Sequence, residues 1–272
     1  MLNLNFSKWL SESLALKGNY KGGLFQRLVA ARYMLAPTIE QDAVPAFEDL
    51  KKKISRQSDF LSSKFNLVPS QNDAYSSMKA MSNDIDKQKR MGIKPNVPVY
   101  AEPPAMDGEE KGGHPVFSND DNVMQRGVHD VIAHYYGQHP FSARGEYGAY
   151  NRHLKTLCNS EQLKANNCLA AKAMFTEVVG QISCYYVYGN YVDQKAVILK
   201  DFDFSNVGKL ASSSPLNKYF TLINKELLKR PEFNWNSFSK EFPELSRELL
   251  RQQEVNRKLM PIETAAYSIS ES

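Results

Sequence analysis

Residues 128–153 read VHDVIAHYYGQHPFSARGEYGAYNRH. The run from Gly137 to Pro140 is a helix-breaking cluster, so the stretch divides into the end of one helix and most of another. It also holds four of the five histidines in the chain, and the fifth, His114, lies just upstream. Asp130 and Glu146 are interleaved with these imidazoles.

Working outward, Ser118-Asn119-Asp120 offers N-cap chemistry for a helix running to about Tyr136. The second helix is expected from Arg144 or Gly145 to about Leu157. A third starts near Asn166 or Asn167, passes through LAAKAMFTEVVGQISCYYVYG and ends by Gly189. Helical periodicity recurs over Phe6–Leu16, Leu24–Leu35, Val44–Phe65, Asp73–Met91, Leu216–Leu228 and Glu244–Met260. Residues 93–118, punctuated by prolines and glycines, cannot form a long helix, although Val97–Tyr100 suits a short strand. The expected fold is therefore mainly α, a helical bundle with a long Pro/Gly-rich loop before the His-rich helices. It divides into an N-terminal helical region (1–92), the loop (93–118), a metal-binding helical core (119–210) and C-terminal helices (211–272), all of which fit within one domain.

Composition bounds the function. The chain has 272 residues with 42% apolar and 24% charged, enough to bury a sizeable core. The net charge of +4 and the lack of a dense basic block do not indicate nucleic-acid binding. Lys51-Lys52-Lys53, beside Glu48 and Asp49, reads as a solvated helix face. No run reaches the roughly 20 apolar residues of a membrane helix, and the N-terminus does not read as a secretory signal. Cys158, Cys168 and Cys184 are odd in number and lack CxxC spacing, so a disulfide is not expected and a cytoplasmic, reducing setting is.

The candidate site follows from helical spacing. Asp130 and His134 are four apart and share a helix face, with His129 beside them. Glu146 and His153 are two turns apart on the second helix, and Glu177 and Gln181 one turn apart on the third. Three adjacent helices would bring these pairs to one centre. The expected metal ligands are His129, Asp130, His134, Glu146, His153 and Glu177. Imidazoles mixed with carboxylates suit a divalent Zn, Mn or Fe ion better than Ca or Mg, and helix bundles build such sites from inward Glu and His. HExxH is absent. Asn122, Gln181 and Lys195 are expected to orient the ligands. Arg126, Arg144 or Lys195 would neutralise a phosphate, with His134 or Glu146 as general base. His139, beside Pro140, reads as a turn residue, and His114 is open between ligand and loop. Tyr185, Tyr186, Tyr188 and Tyr191 read as core more readily than as a ligand pocket.

HDVIAH followed by HPFSARGE resembles the metal-binding segment of HD-domain phosphohydrolases, above all the branch acting on deoxynucleoside triphosphates. That resemblance implies that His129 and Asp130 hold a metal together with an upstream His, matched by His114, and a downstream acid, matched by Asp193 or Glu177. The glycine that follows the doublet in that family is absent. Over residues 70 to 210, the segments HPVFSNDDNVMQRGVHDVIAH, GEYGAYNRH and FTEVVGQISCYYVYGNYVDQKAVILKDFDF resemble a family of uncharacterised proteins of tailed bacteriophages and mobile elements. This implies a phage origin and an infected host cell or virion as the setting, and it picks out His129, Asp130, His134, Glu146, His153, Glu177 and Gln181.

Three functions follow as expectations. The first is a metal-dependent hydrolase acting on a phosphate ester or nucleotide. The second is a non-haem di-iron or Fe/Mn oxidase or oxygenase, because the ligand stock resembles that of haem-oxygenase-like di-iron proteins. The third is a non-catalytic virion or injected protein with virion partners, in which the cluster only organises the core.

Overall fold

The computed structural model describes residues 23–72, 75–101, 113–189, 191–220 and 235–259. The helix expected over Phe6–Leu16, most of Leu216–Leu228 and the centre of the Pro/Gly-rich loop lie outside the described residues. The described chain is mainly helical. In order, α1 spans Gly23–Leu35, α2 Val44–Ser62, β1 Asn66–Ser70, α3 Met78–Arg90 and β2 Asn96–Tyr100. Next come α4 (Asn119–His129), α5 (Ala143–Leu157), α6 (Ser160–Lys164), α7 (Leu169–Met174), α8 (Gln181–Tyr188), α9 (Trp235–Glu241) and α10 (Pro243–Leu259). Two π-helical turns continue α-helices without a break: π1 (Asp130–Tyr135) extends α4, and π2 (Phe175–Gly180) joins α7 to α8.

Local chemistry sets the helix ends. Ser118 and Asp121 form a reciprocal capping box at the start of α4, Ser118 Oγ accepting from Asp121 N and Asp121 from Ser118 N. Ser142 Oγ accepts from Gly145 N at 3.1 Å and opens α5. Gly189 closes α8 in the left-handed region at φ 81°, where a residue with a Cβ would be strained. The strand expected in the loop forms as β2. It pairs in parallel with β1 from Asn66↔Asn96 to Ser70↔Tyr100. β1 itself has no expectation behind it, since the helical reading ran to Phe65 and resumed at Asp73.

One buried apolar cluster draws on residues from Leu24 to Leu249. α2 packs on α4 and α7, α1 on α8 and π2, and α5 on both π-turns. Phe175 lies at its centre, stacked on Phe202 at 5.7 Å and edge-on to Tyr150 and Phe204. Truncating such a buried aromatic costs about 3–5 kcal/mol. Lys51, assigned above to a solvated face, instead reaches across to Asp121 at 2.7 Å and ties α2 to the start of α4. At that exposure the pair adds at most about 1 kcal/mol.

The cysteine expectation is overturned: Cys158 and Cys168 form a disulfide, and Cys184 is free and buried. The count was misleading because the short α6 folds the chain back and returns Cys168 to the end of α5, where Cys158 sits. The cysteines therefore do not point to a reducing compartment. No described helix is long and apolar enough to cross a membrane.

Candidate metal centre

The site is built where α4 passes into π1 and meets α5. His129 ends α4, and Asp130 and His134 lie within π1. A π-turn bonds residue i to i+5, as Tyr136 N does to the Val131 carbonyl at 2.9 Å. Five residues on a regular α-helix are about 140° apart, which would separate the His129 and His134 rings. The wider turn brings them together, with Nε2 of His129 2.9 Å from Nε2 of His134. Glu146, from the first turn of α5, places its carboxylate 3.1 Å from His129 Nε2 and 3.3 Å from His134 Nε2. The donor atoms of His129, Asp130 and His134 lie within 4.8 Å of one another, and this group could hold a metal ion.

The outer contacts orient this core. His134 Nδ1 donates to the His139 carbonyl at 2.7 Å, which leaves Nε2 of the neutral ring as a lone pair facing Glu146. His153, fully buried on α5, sets Nε2 3.0 Å from His129 Nδ1. Its own Nδ1 is buried without a partner. His139 therefore contributes through its backbone, a role that no side-chain reading could supply. The turn that carries it is seated on two glycines of α5. A Cβ on Gly145 would fall 1.7 Å from the Pro140 carbonyl oxygen, and one on Gly148 2.5 Å from the His139 ring.

Two nitrogen lone pairs and a carboxylate cannot share so small a volume without a cation or a proton between them. Burial opposes a charge on His134, yet Glu146 and Asp130 outweigh it and lift the imidazole to about 9. Burial likewise opposes the Glu146 charge, but His134 and His129 hold its carboxyl well below the ordinary carboxylate range. Desolvation raises the Asp130 carboxyl above its usual value. Burial, reinforced by the neighbouring His129 and His134, drives His153 far below an ordinary imidazole.

Ligand spacing provides a test of fit. Bonds of about 2.0–2.2 Å at 90–110° put neighbouring ligand atoms about 2.8–3.6 Å apart. His129 Nε2 and His134 Nε2 are 2.9 Å apart, and a different Glu146 oxygen faces each of them at 3.1 and 3.3 Å, spacings that suit one divalent ion.

Glu177 is placed elsewhere. From π2 it takes Nε2 of His114 at 3.1 Å, Gln181 Nε2 at 3.0 Å and Gln194 Nε2 at 3.4 Å. Asn122 completes this second centre by donating to Gln194 Oε1 at 2.9 Å. The three expected pairs thus feed two polar centres rather than one, and Gln181 and Asn122 support Glu177, not His129. The phosphohydrolase resemblance implied His114 on one metal with His129 and Asp130; His114 instead meets Glu177 at the second centre, and Asp193 is engaged through its backbone carbonyl by Tyr33. Gln194, which bridges Asn122 and Glu177, was not read from sequence; a glutamine in an irregular segment carries no periodic signal.

Two of the three expected phosphate-neutralising residues are committed elsewhere. Lys195 donates to the carbonyls of Met34 and Ala36. Arg126 turns to β2, donating to the Tyr100 carbonyl and covering its ring. Arg144 is exposed at the start of α5. Tyr185 stacks on Tyr191 and meets Tyr186 edge-on; Tyr185, Tyr186 and Tyr188 are half-buried against the core, whereas Tyr191 is exposed, so the core reading does not extend to it.

No family model, curated protein or solved structure significantly matches the chain.

Proposed function

We propose that the protein is a metal-dependent hydrolase acting on a phosphate ester, with the ion held by His129, His134 and Glu146 and by Asp130 beside them. One observation carries the reading: His129 Nε2 and His134 Nε2 converge to 2.9 Å, and the Glu146 carboxylate sets one oxygen 3.1 Å from the first and its other oxygen 3.3 Å from the second. A divalent cation in such a site lowers the pKa of a bound water and polarises a phosphoryl oxygen.

The chain's own residues supply the rest. The His139 carbonyl fixes the His134 tautomer with Nε2 toward the centre. His153 backs His129 in the same manner, the arrangement that raises ligand basicity. Glu146 and Asp130 balance the charge of a divalent ion. The His-Asp doublet and the Gly-Glu turn resemble the phosphohydrolase segment, and the broader resemblance to phage proteins supports a phage origin.

A second reading, an iron-dependent oxidase, is favoured by the same residues, since two histidines and one carboxylate are the ligands of mononuclear non-haem iron sites. It is a one-iron reading: Glu177, which a di-iron pair would draw on, is engaged by His114, Gln181 and Gln194.

Elemental analysis of protein purified without chelator tests both. The hydrolase reading expects about one Zn or Mn per chain, lost in His134→Ala, and metal-dependent phosphate release from a panel of phosphate esters. Stoichiometric iron with oxygen consumption would transfer the site to the oxidase reading. Variants that lower the melting temperature but alter neither metal content nor activity would leave only a structural polar network, as the virion-protein reading requires.

A further inference from the structure

A groove of about 610 Å³ runs between α2, π1 and α5, with Lys53, Arg56, Phe60, Tyr136 and Arg152 among its lining residues and no carboxylate. Arg56 and Arg152 make no ion pair among the described residues, whereas Lys53 is paired with Asp49 at 2.9 Å. Two large rings stand open on the rim, Phe60 at 65% and Tyr136 at 45% exposure. Lys64 lies 4.5 Å over the Phe60 ring and adds a further cation beside the groove. Gln57, also in the lining, buries its Oε1 with no hydrogen-bond partner.

Each feature asks for a different part of one ligand. Unpaired guanidinium groups without a facing acid ask for an oxyanion, and Arg suits phosphate by its fork of donors. Exposed rings beside them ask for a flat aromatic group to stack on. A buried acceptor without a donor asks for an N–H. The volume falls within the range of small-molecule sites. We propose that this groove binds a mononucleotide, its phosphate on Arg56 and Arg152 and its base against Phe60 or Tyr136, near Gln57.

The groove shares π1 and α5 with the metal centre, and Arg152 directly precedes His153. The proposal narrows the phosphate-ester reading to nucleotides and rests on that reading for turnover, but not for binding.

Calorimetric titration of the full chain with AMP, adenosine and inorganic phosphate tests it, with metal content measured on every sample. Wild type should bind AMP saturably and at least tenfold more tightly than adenosine or phosphate. Arg56→Ala/Arg152→Ala should weaken AMP at least tenfold with metal content unchanged. Phe60→Ala/Tyr136→Ala should weaken AMP but not phosphate. His134→Ala, emptied of metal, should bind AMP as wild type does. Absence of saturable AMP binding at millimolar concentration, or equal binding by the double arginine variant, overturns the groove. So does loss of AMP binding in His134→Ala alone, which would move the nucleotide to the metal centre. Tighter binding of a short oligonucleotide than of AMP overturns the mononucleotide assignment. Loss of the metal reading with these results intact would leave the groove standing.

Discussion

The two buried polar centres of this chain are built alike and balanced differently. Each sits on a π-turn, joins histidine to glutamate, and is fed by a partner from another segment. At the His114–Glu177 centre the hydrogen bonds close. His114 Nδ1 accepts from Val116 N and Phe117 N, so Nε2 carries the proton and donates to Glu177, whose other oxygen takes two glutamine amides. At the His129–His134–Glu146 centre they do not close. Acceptors outnumber protons, and His153 Nδ1 is left without a partner. A closed network holds a fold, whereas an open one with converging lone pairs is a place for a cation. The same residue types and the same helical irregularity are therefore balanced differently, and the difference is one of donor count.

Substitutions can break this contrast. The largest effect is expected at the open centre: Glu146→Ala should abolish metal retention in elemental analysis. It removes the carboxylate shared by both imidazoles. Retained metal would end the comparison. Glu177→Ala should do the reverse, leaving metal content intact while costing about 1–3 kcal/mol in chemical denaturation, because the buried His114 N–H loses its acceptor. Loss of metal in that variant would show that the two centres are one.

The disulfide offers a control outside both centres. Cys158→Ser should lower stability by about 2–3 kcal/mol through the released short loop, with metal binding unaltered; an unchanged denaturation midpoint would argue against the bond. A smaller and more selective effect is expected of Gly148→Ala. The added methyl displaces the His139 ring, and with it the carbonyl that holds His134. Metal affinity should fall about tenfold with little change in secondary structure by circular dichroism.

The pH response sharpens the contrast further. In metal-free protein His134 is lifted from 6.5 to about 9, so its stabilising charge is fully present below 6.5 and lost as pH rises through about 9. Glu146 is depressed from 4.5, so its contribution is present above 4.5 and lost as pH falls. The metal-free melting temperature should therefore decline from pH 6.5 toward 9. Metal affinity should climb over the same interval, because binding must displace the His134 proton. Parallel trends would contradict the assignment of His134 as a ligand.

Much of this was legible in the residues, for reasons that can be named. The Ser118 cap, the Gly137–Pro140 break and the Gly189 stop act locally, through backbone conformation and hydrogen bonds within a few residues. They were readable at nearly their observed positions. The β1 strand was not, because its pairing with β2 joins segments 30 residues apart. Nor was the bond between Cys158 and Cys168, which a count of thiols cannot reveal.

Sequence alone determined that the chain is helical and that its imidazoles and acids are stocked in one region, because periodicity, caps and residue chemistry are properties of short segments. Only the tertiary structure decided which of them meet. The α-helical period pairs Asp130 with His134, yet π1 pairs His129 with His134, and π2 takes Glu177 to His114 instead. An extra residue in a helical turn is set by packing against other helices, and no local pattern of side chains encodes it.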